Sequence, residues 1–147
     1  MQISETLEMS ATPTGVWAVL SDLPSYEKWN PFIVKATGTA AVGEKFKGRF
    51  QLAGSRGMTL RPRFTVVEPE QRLAWLGHAG IPGLFDGAHQ FVLEPTPTGG
   101  TRLTQSETFS GVLLPLFAPS LKRTAESFRA LNQALATAAL ELEQQRR

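Results

Sequence analysis

His89, Gln105 and Glu107 are polar residues that alternate in step with phenylalanine and leucine, and together they hold groups suited to moving protons. Apolar and polar residues alternate through Gly83–Glu94, and side chains on a strand alternate with a period of two. His89, Phe91 and Leu93 therefore point to one side. Thr101–Phe109 repeats the pattern, with Leu103 and Phe109 sharing their face with Gln105 and Glu107. Imidazole can donate, accept or change protonation near neutral pH, and a carboxylate beside it can orient the ring and complete a general acid/base pair. Buried polar groups cost free energy unless they are hydrogen-bonded. Such a face is therefore either a core containing a satisfied polar clip or the wall of a cavity.

The two segments flank Pro95–Gly100, a loop rich in Pro, Gly and Thr. Pairing as a simple hairpin around it brings His89 close to Gln105 and Glu107, which makes His89 and Glu107 the candidate catalytic residues. Glu5 falls on the apolar face of another alternating segment, Gln2–Met9. Trp75, Phe85, Phe91 and Phe109 sit on strands whose apolar face can line a cavity or simply fill a core. With helix residues Phe128 and Leu131 opposite, the candidate ligand-binding set is Trp75, Phe85, His89, Phe91, Leu103, Gln105, Glu107, Phe109, Phe128 and Leu131. Such a face, mostly apolar with a few polar groups, has the make-up of a ligand pocket. His78 falls on the opposite alternation to Trp75, beside a turn, and is expected to face solvent.

The elements that position these residues follow from the same periodicities. Gln2–Met9 is a predicted strand. Thr12-Pro13 is a helix-start signal, a capping threonine followed by a first-turn proline, and Val16, Trp17, Val19 and Leu20 supply a buried side. A second short helix over Ser25–Trp29 ends at Asn30-Pro31, because a residue before proline is pushed out of the α region. Six more strands are predicted at Phe32–Thr37, Glu44–Leu52, Met58–Val67, Arg72–His78, Phe85–Glu94 and Thr101–Phe109. The breaks between them include Gly54–Gly57 and Gly80–Gly83. A Pro-punctuated apolar segment, Val112–Pro119, precedes a long helix over about Ser120–Gln145, with Leu121, Ala125, Phe128, Leu131, Leu135, Ala138 and Leu142 at helical spacing. The prediction is an α+β, helix-on-sheet domain spanning 1–147, with seven antiparallel strands.

Composition narrows the function. A length of 147 residues with 41% hydrophobic and 19% charged residues suits one folded domain. Lys+Arg number 15 against 13 Asp+Glu, a balance too even for a nucleic-acid surface. The alternating cations Lys45, Lys47, Arg49, Arg61 and Arg63 are expected on a solvated outer face. The absence of cysteine excludes thiolate chemistry, disulfides and Cys-based metal sites. No phosphate loop, dinucleotide fingerprint or His-x-x-x-His spacing calls for a cofactor or metal. No apolar run reaches the roughly 20 residues of a membrane span. Met1–Glu5 lacks the start of a secretion signal, so a cytoplasmic monomer or homodimer is expected.

Specific strings add a resemblance that covers almost the whole chain. Ala11–Asp22, Tyr26–Phe32 (Tyr-Glu-Lys-Trp-Asn-Pro-Phe), Arg72–Trp75, Gly83–Leu93, Thr101–Thr104 and Glu107–Gly111 together resemble the START-like helix-grip superfamily, within it the bacterial polyketide cyclase/dehydrase and lipid-transport (SRPBCC) group. The resemblance implies a curved sheet gripping the C-terminal helix, with an apolar or amphipathic small molecule held between them. It spans carriers, enzymes and protein-interaction modules. The expected function is a binding protein for a lipid, polyketide or aromatic compound. The alternatives are a cyclase/aromatase/dehydratase using His89, Glu107 or Glu5 to move protons, and an interaction module of the chaperone-activator type.

Overall fold

A computed structural model describes residues 1–52 and 55–146; Gly54 of the expected Gly54–Gly57 turn lies outside the described residues. The elements run β1 (Gln2–Met9), α1 (Pro13–Leu20), a 3₁₀ turn (Leu23–Ser25), α2 (Tyr26–Trp29), β2 (Ile33–Thr37), β3 (Lys47–Phe50), β4 (Met58–Leu60) and β5 (Arg63–Glu68). They continue with β6 (Arg72–His78), β7 (Asp86–Pro95), β8 (Thr101–Ser110), α3 (Leu114–Phe117), a 3₁₀ turn (Ala118–Ser120) and α4 (Leu121–Gln145). The class is α+β with a curved antiparallel sheet and a long C-terminal helix, as the alternation and the helical stripe require.

The strand count is eight among the described residues, because the expected Met58–Val67 strand divides into β4 and β5. Pro62 lies at the break. It has no N–H to give a ladder, so pairing stops there. The result is a five-stranded sheet in the order β1-β8-β7-β6-β5 and a three-stranded sheet in the order β2-β3-β4. An isolated bridge between Lys45 and Arg63 joins them, flanked by Phe46 N–H donating to Pro62 O and Phe64 N–H donating to Glu44 O. Lys45, Lys47, Arg49, Arg61 and Arg63 are all exposed.

Helix α4 covers the inner face of the larger sheet. Its buried residues are Thr124, Ser127, Phe128, Leu131, Asn132, Leu135 and Ala139, so its buried stripe is more polar than the leucines alone suggested. Phe128, Leu131 and Leu135 meet Phe91, Leu73 and Leu103 in one core cluster. The far end of α4 is tied to the start of α1. Glu143 accepts from Thr12 N–H (2.7 Å) and Thr12 Oγ1–H (2.6 Å), while Thr12 Oγ1 caps Gly15 N–H (3.2 Å). A Cβ at Gly15 would displace the Glu143 carboxylate from its seat on Thr12. Tyr26 is fully buried, which pushes its phenol far above the usual tyrosine range, and its hydroxyl donates to Leu20 O. Among the described residues, no helix is long and apolar enough to cross a membrane.

Candidate functional site

Register places the polar groups in two cross-strand rows on the inner face. One row runs Phe64, Trp75, His89, Glu107 and Ile3; the next runs Leu73, Phe91, Gln105 and Glu5. His89 is 1% exposed, with its ring stacked on Trp75 at 4.8 Å between centroids and 16° between planes. Its Nδ1 lies 3.0 Å from Glu107 Oε1, and its Nε2 lies 2.9 Å from Gln105 Oε1. The Gln105 amide donates to Phe128 O (3.1 Å) and to Asn132 Oδ1 (2.8 Å), and the Asn132 amide donates to Glu5 O (3.2 Å). Glu5 also accepts from Arg129 Nε at 3.0 Å, at the edge of the sheet.

This chain of contacts fixes where protons sit. A backbone carbonyl only accepts, so Glu5 O and Phe128 O orient the two amides, and Gln105 must turn its oxygen toward the ring. Nε2 of His89 therefore carries a proton. The remaining nitrogen, Nδ1, shares one further proton with Glu107, either as imidazolium and carboxylate or as imidazole and carboxylic acid.

Beside this network lies a cavity of about 430 Å³ between the two sheets and the start of α4. Its floor is a pair of facing glycines, Gly77 on β6 and Gly87 on β7, with Phe109 opposite Gly87 on β8. Phe32 comes from the bend before β2, Phe50 from β3, Phe117 from α3, and Thr124 from α4. Phe85 stacks between Phe109 (5.6 Å) and Phe117 (4.2 Å).

Of the residues expected on a cavity wall, Trp75, Phe85, Glu107 and Phe109 border this space. His89, Phe91, Leu103, Gln105, Phe128 and Leu131 do not; they pack one layer behind, in the core. A shared strand face was not enough to predict the wall, because α4 closes directly onto the sheet at Phe128 and Leu131 and leaves the void to one side. Glu107 alone belongs to both the polar network and the wall.

His78, expected in solvent, keeps 33% of its side chain exposed. It borders the cavity mouth, its Nδ1 2.7 Å from Asp86 Oδ1 across the β6–β7 ladder, where the two are register partners. Asp86 also accepts from Gly83 N–H, pinning the Gly80–Phe85 loop. The hydrogen bond from His78, helped by Gly83, holds the Asp86 carboxyl below the usual carboxylate range. Gly77 and Gly87 were also missed. Their signal was available, since glycine inside a strand marks a close approach or a ligand space.

A curled antiparallel sheet closed by a C-terminal helix, with an apolar cavity beside the helix, defines a START-like helix-grip protein. Residues 1–141 match the profile of the family described as polyketide cyclase / dehydrase and lipid transport, and the chain belongs to that family. No curated protein sequence matches it. Among solved structures it is similar to a START superfamily protein from Mycobacterium smegmatis, with 20% identity, 96% of this chain and 98% of that one covered, and a TM-score of 0.77. It is also similar to the ZhuI aromatase/cyclase from Streptomyces sp. R1128, with 15% identity, 95% and 93% covered, and a TM-score of 0.77. A norcoclaurine synthase point mutant from Thalictrum flavum, solved with a transition-state analogue, gives 17% identity, 97% and 96% covered, and a TM-score of 0.76.

Proposed function

We propose that this protein, acting as one START-like domain, binds a hydrophobic or amphipathic small molecule, a lipid, polyketide or aromatic compound, in the cavity between its sheets and α4. The observation that carries this reading is the cavity itself: about 430 Å³, bordered by the Gly77–Gly87 pair, walled by aromatic rings and containing the single carboxylate of Glu107. Its size and mostly apolar lining suit a small ligand. The same reading has the protein work in the cytoplasm as a monomer or homodimer, without a cofactor.

A second reading, an enzyme of the cyclase/aromatase/dehydratase type, draws on Glu107 touching both the cavity and His89. Carriage is preferred because both ring nitrogens of His89 are occupied and the ring is sealed behind Trp75, which leaves Glu107 as the sole proton route. Native mass spectrometry of protein purified from its own host tests the proposal. A retained small-molecule mass, displaced by a hydrophobic dye, supports it. Protein that carries no such mass and binds no dye would overturn it in favour of an interaction module of the chaperone-activator type.

A further inference from the structure

The proton count at His89 defines the chemistry of the cavity's one carboxylate; Ser55, Arg56, His78, Ser120 and Thr124 also border the space. Oε1 of Glu107 is engaged by His89 Nδ1 at 3.0 Å. Oε2 has no hydrogen-bond partner among the described residues. It lies over Gly87, where a Cβ would collide with it, and Glu107 lines the cavity there. With one proton shared between Nδ1 and Oε1, two states exist. In the imidazolium–carboxylate state, Oε2 is a carboxylate oxygen. In the imidazole–carboxylic acid state, the proton sits on Oε1 and Oε2 is the carbonyl oxygen of the acid. In both states Oε2 accepts and cannot donate.

We infer that the cavity selects ligands whose buried end carries a hydrogen-bond donor, a hydroxyl, phenol or amine on an apolar body, and discriminates against those presenting only an acceptor there, such as a ketone, an ether or an ionised carboxylate. This rests on the small-molecule reading above and adds the polarity of the ligand's deep end. Donors gain a hydrogen bond at Oε2, charge-assisted in the imidazolium–carboxylate state. Ligands without one strip water from Oε2 and leave it unpaired, which is the expensive outcome for a buried acceptor. Trp75, Phe85, Phe109 and Phe117 accommodate the apolar body.

The test is calorimetric titration with three probes of one aromatic body: 2-naphthol, naphthalene and 2-methoxynaphthalene. The wild-type protein is expected to bind 2-naphthol about tenfold more tightly than the other two. Glu107→Gln is expected to keep the preference, since its amide can donate to a neutral His89 Nδ1 and leave its oxygen facing the cavity. Glu107→Leu, checked for folding by circular dichroism, is expected to lose it. Equal binding of all three probes by wild type, or a preference that survives Glu107→Leu in folded protein, overturns the inference and leaves the small-molecule reading standing. Failure of every probe to bind overturns the inference alone, and the native mass spectrum and dye displacement decide the small-molecule reading.

Discussion

Replacing Gln105 with methionine removes the centre of the polar chain while nearly conserving shape. Gln105 is fully buried, and its loss orphans two buried groups, the Nε2–H of His89 and the Oδ1 of Asn132. At about 1–3 kcal/mol for each unsatisfied group, the expected destabilisation is about 2–6 kcal/mol. Asn132→Leu removes the amide that donates to the Glu5 carbonyl and one of the two acceptors of the Gln105 amide, which keeps the Phe128 carbonyl, so its expected cost is about 1–3 kcal/mol. The double variant no longer contains the orphaned Asn132 oxygen, so the two effects should fall short of additivity by about 1–3 kcal/mol. Urea denaturation followed by tryptophan fluorescence and circular dichroism gives each value, provided the slope with denaturant is unchanged. Nitrogen-15 spectra of the wild-type ring should show a proton on Nε2 of His89. A Gln105→Met variant within about 0.5 kcal/mol of wild type, strict additivity, or a His89 ring with an unprotonated Nε2 would refute the amide orientations and the proton count built on them.

Two further outcomes follow from the ends of the fold. The Asp86 carboxyl is lowered in the folded state, so between its folded and unfolded values the unfolded chain binds more protons and stability rises with pH. The contribution is present above about pH 4 and is lost as pH falls through the folded value. Amide exchange at Gly83 should accelerate over that acid range in wild type but not in Asp86→Asn, and identical profiles would exclude the anchor. Glu143→Ala should lower the melting temperature by about 2–4 °C through loss of the tie to Thr12. An unchanged melting temperature would mean that α1 and α4 hold together by apolar contact alone.

The sheet, the long helix and the facing of His89 and Glu107 could be read from periodicity and one loop. Pro95–Gly100 is short enough to set the register, and a period of two then puts Glu107 opposite His89. The boundary between filled core and open cavity could not be read in this way. Phe91 and Phe109 have the same residue type and the same facing, yet one is interlocked beneath α4 and the other borders the void. What separates them is the distance from the sheet to the element above, which depends on the division at Pro62 and on where α4 begins. The pairing of His78 with Asp86 was not legible for a related reason. Alternation states which side a residue leaves the strand, but at the last residue of β6 the turn and Asp86 decide where the ring goes.

The buried amides also set the position of α4 along the sheet. Leucine and phenylalanine are tolerant neighbours, and a helix presenting only those could slip by a turn, about 5.4 Å, and still find grease to rest on. The meeting of Asn132 with Gln105 has a single solution, because a slip in either direction strands polar atoms in an apolar medium. The pair thus acts as an index pin. The opening beside the first turn of α4 keeps a fixed length because the helix is locked about two turns beyond Thr124, at Asn132, which does not border the cavity.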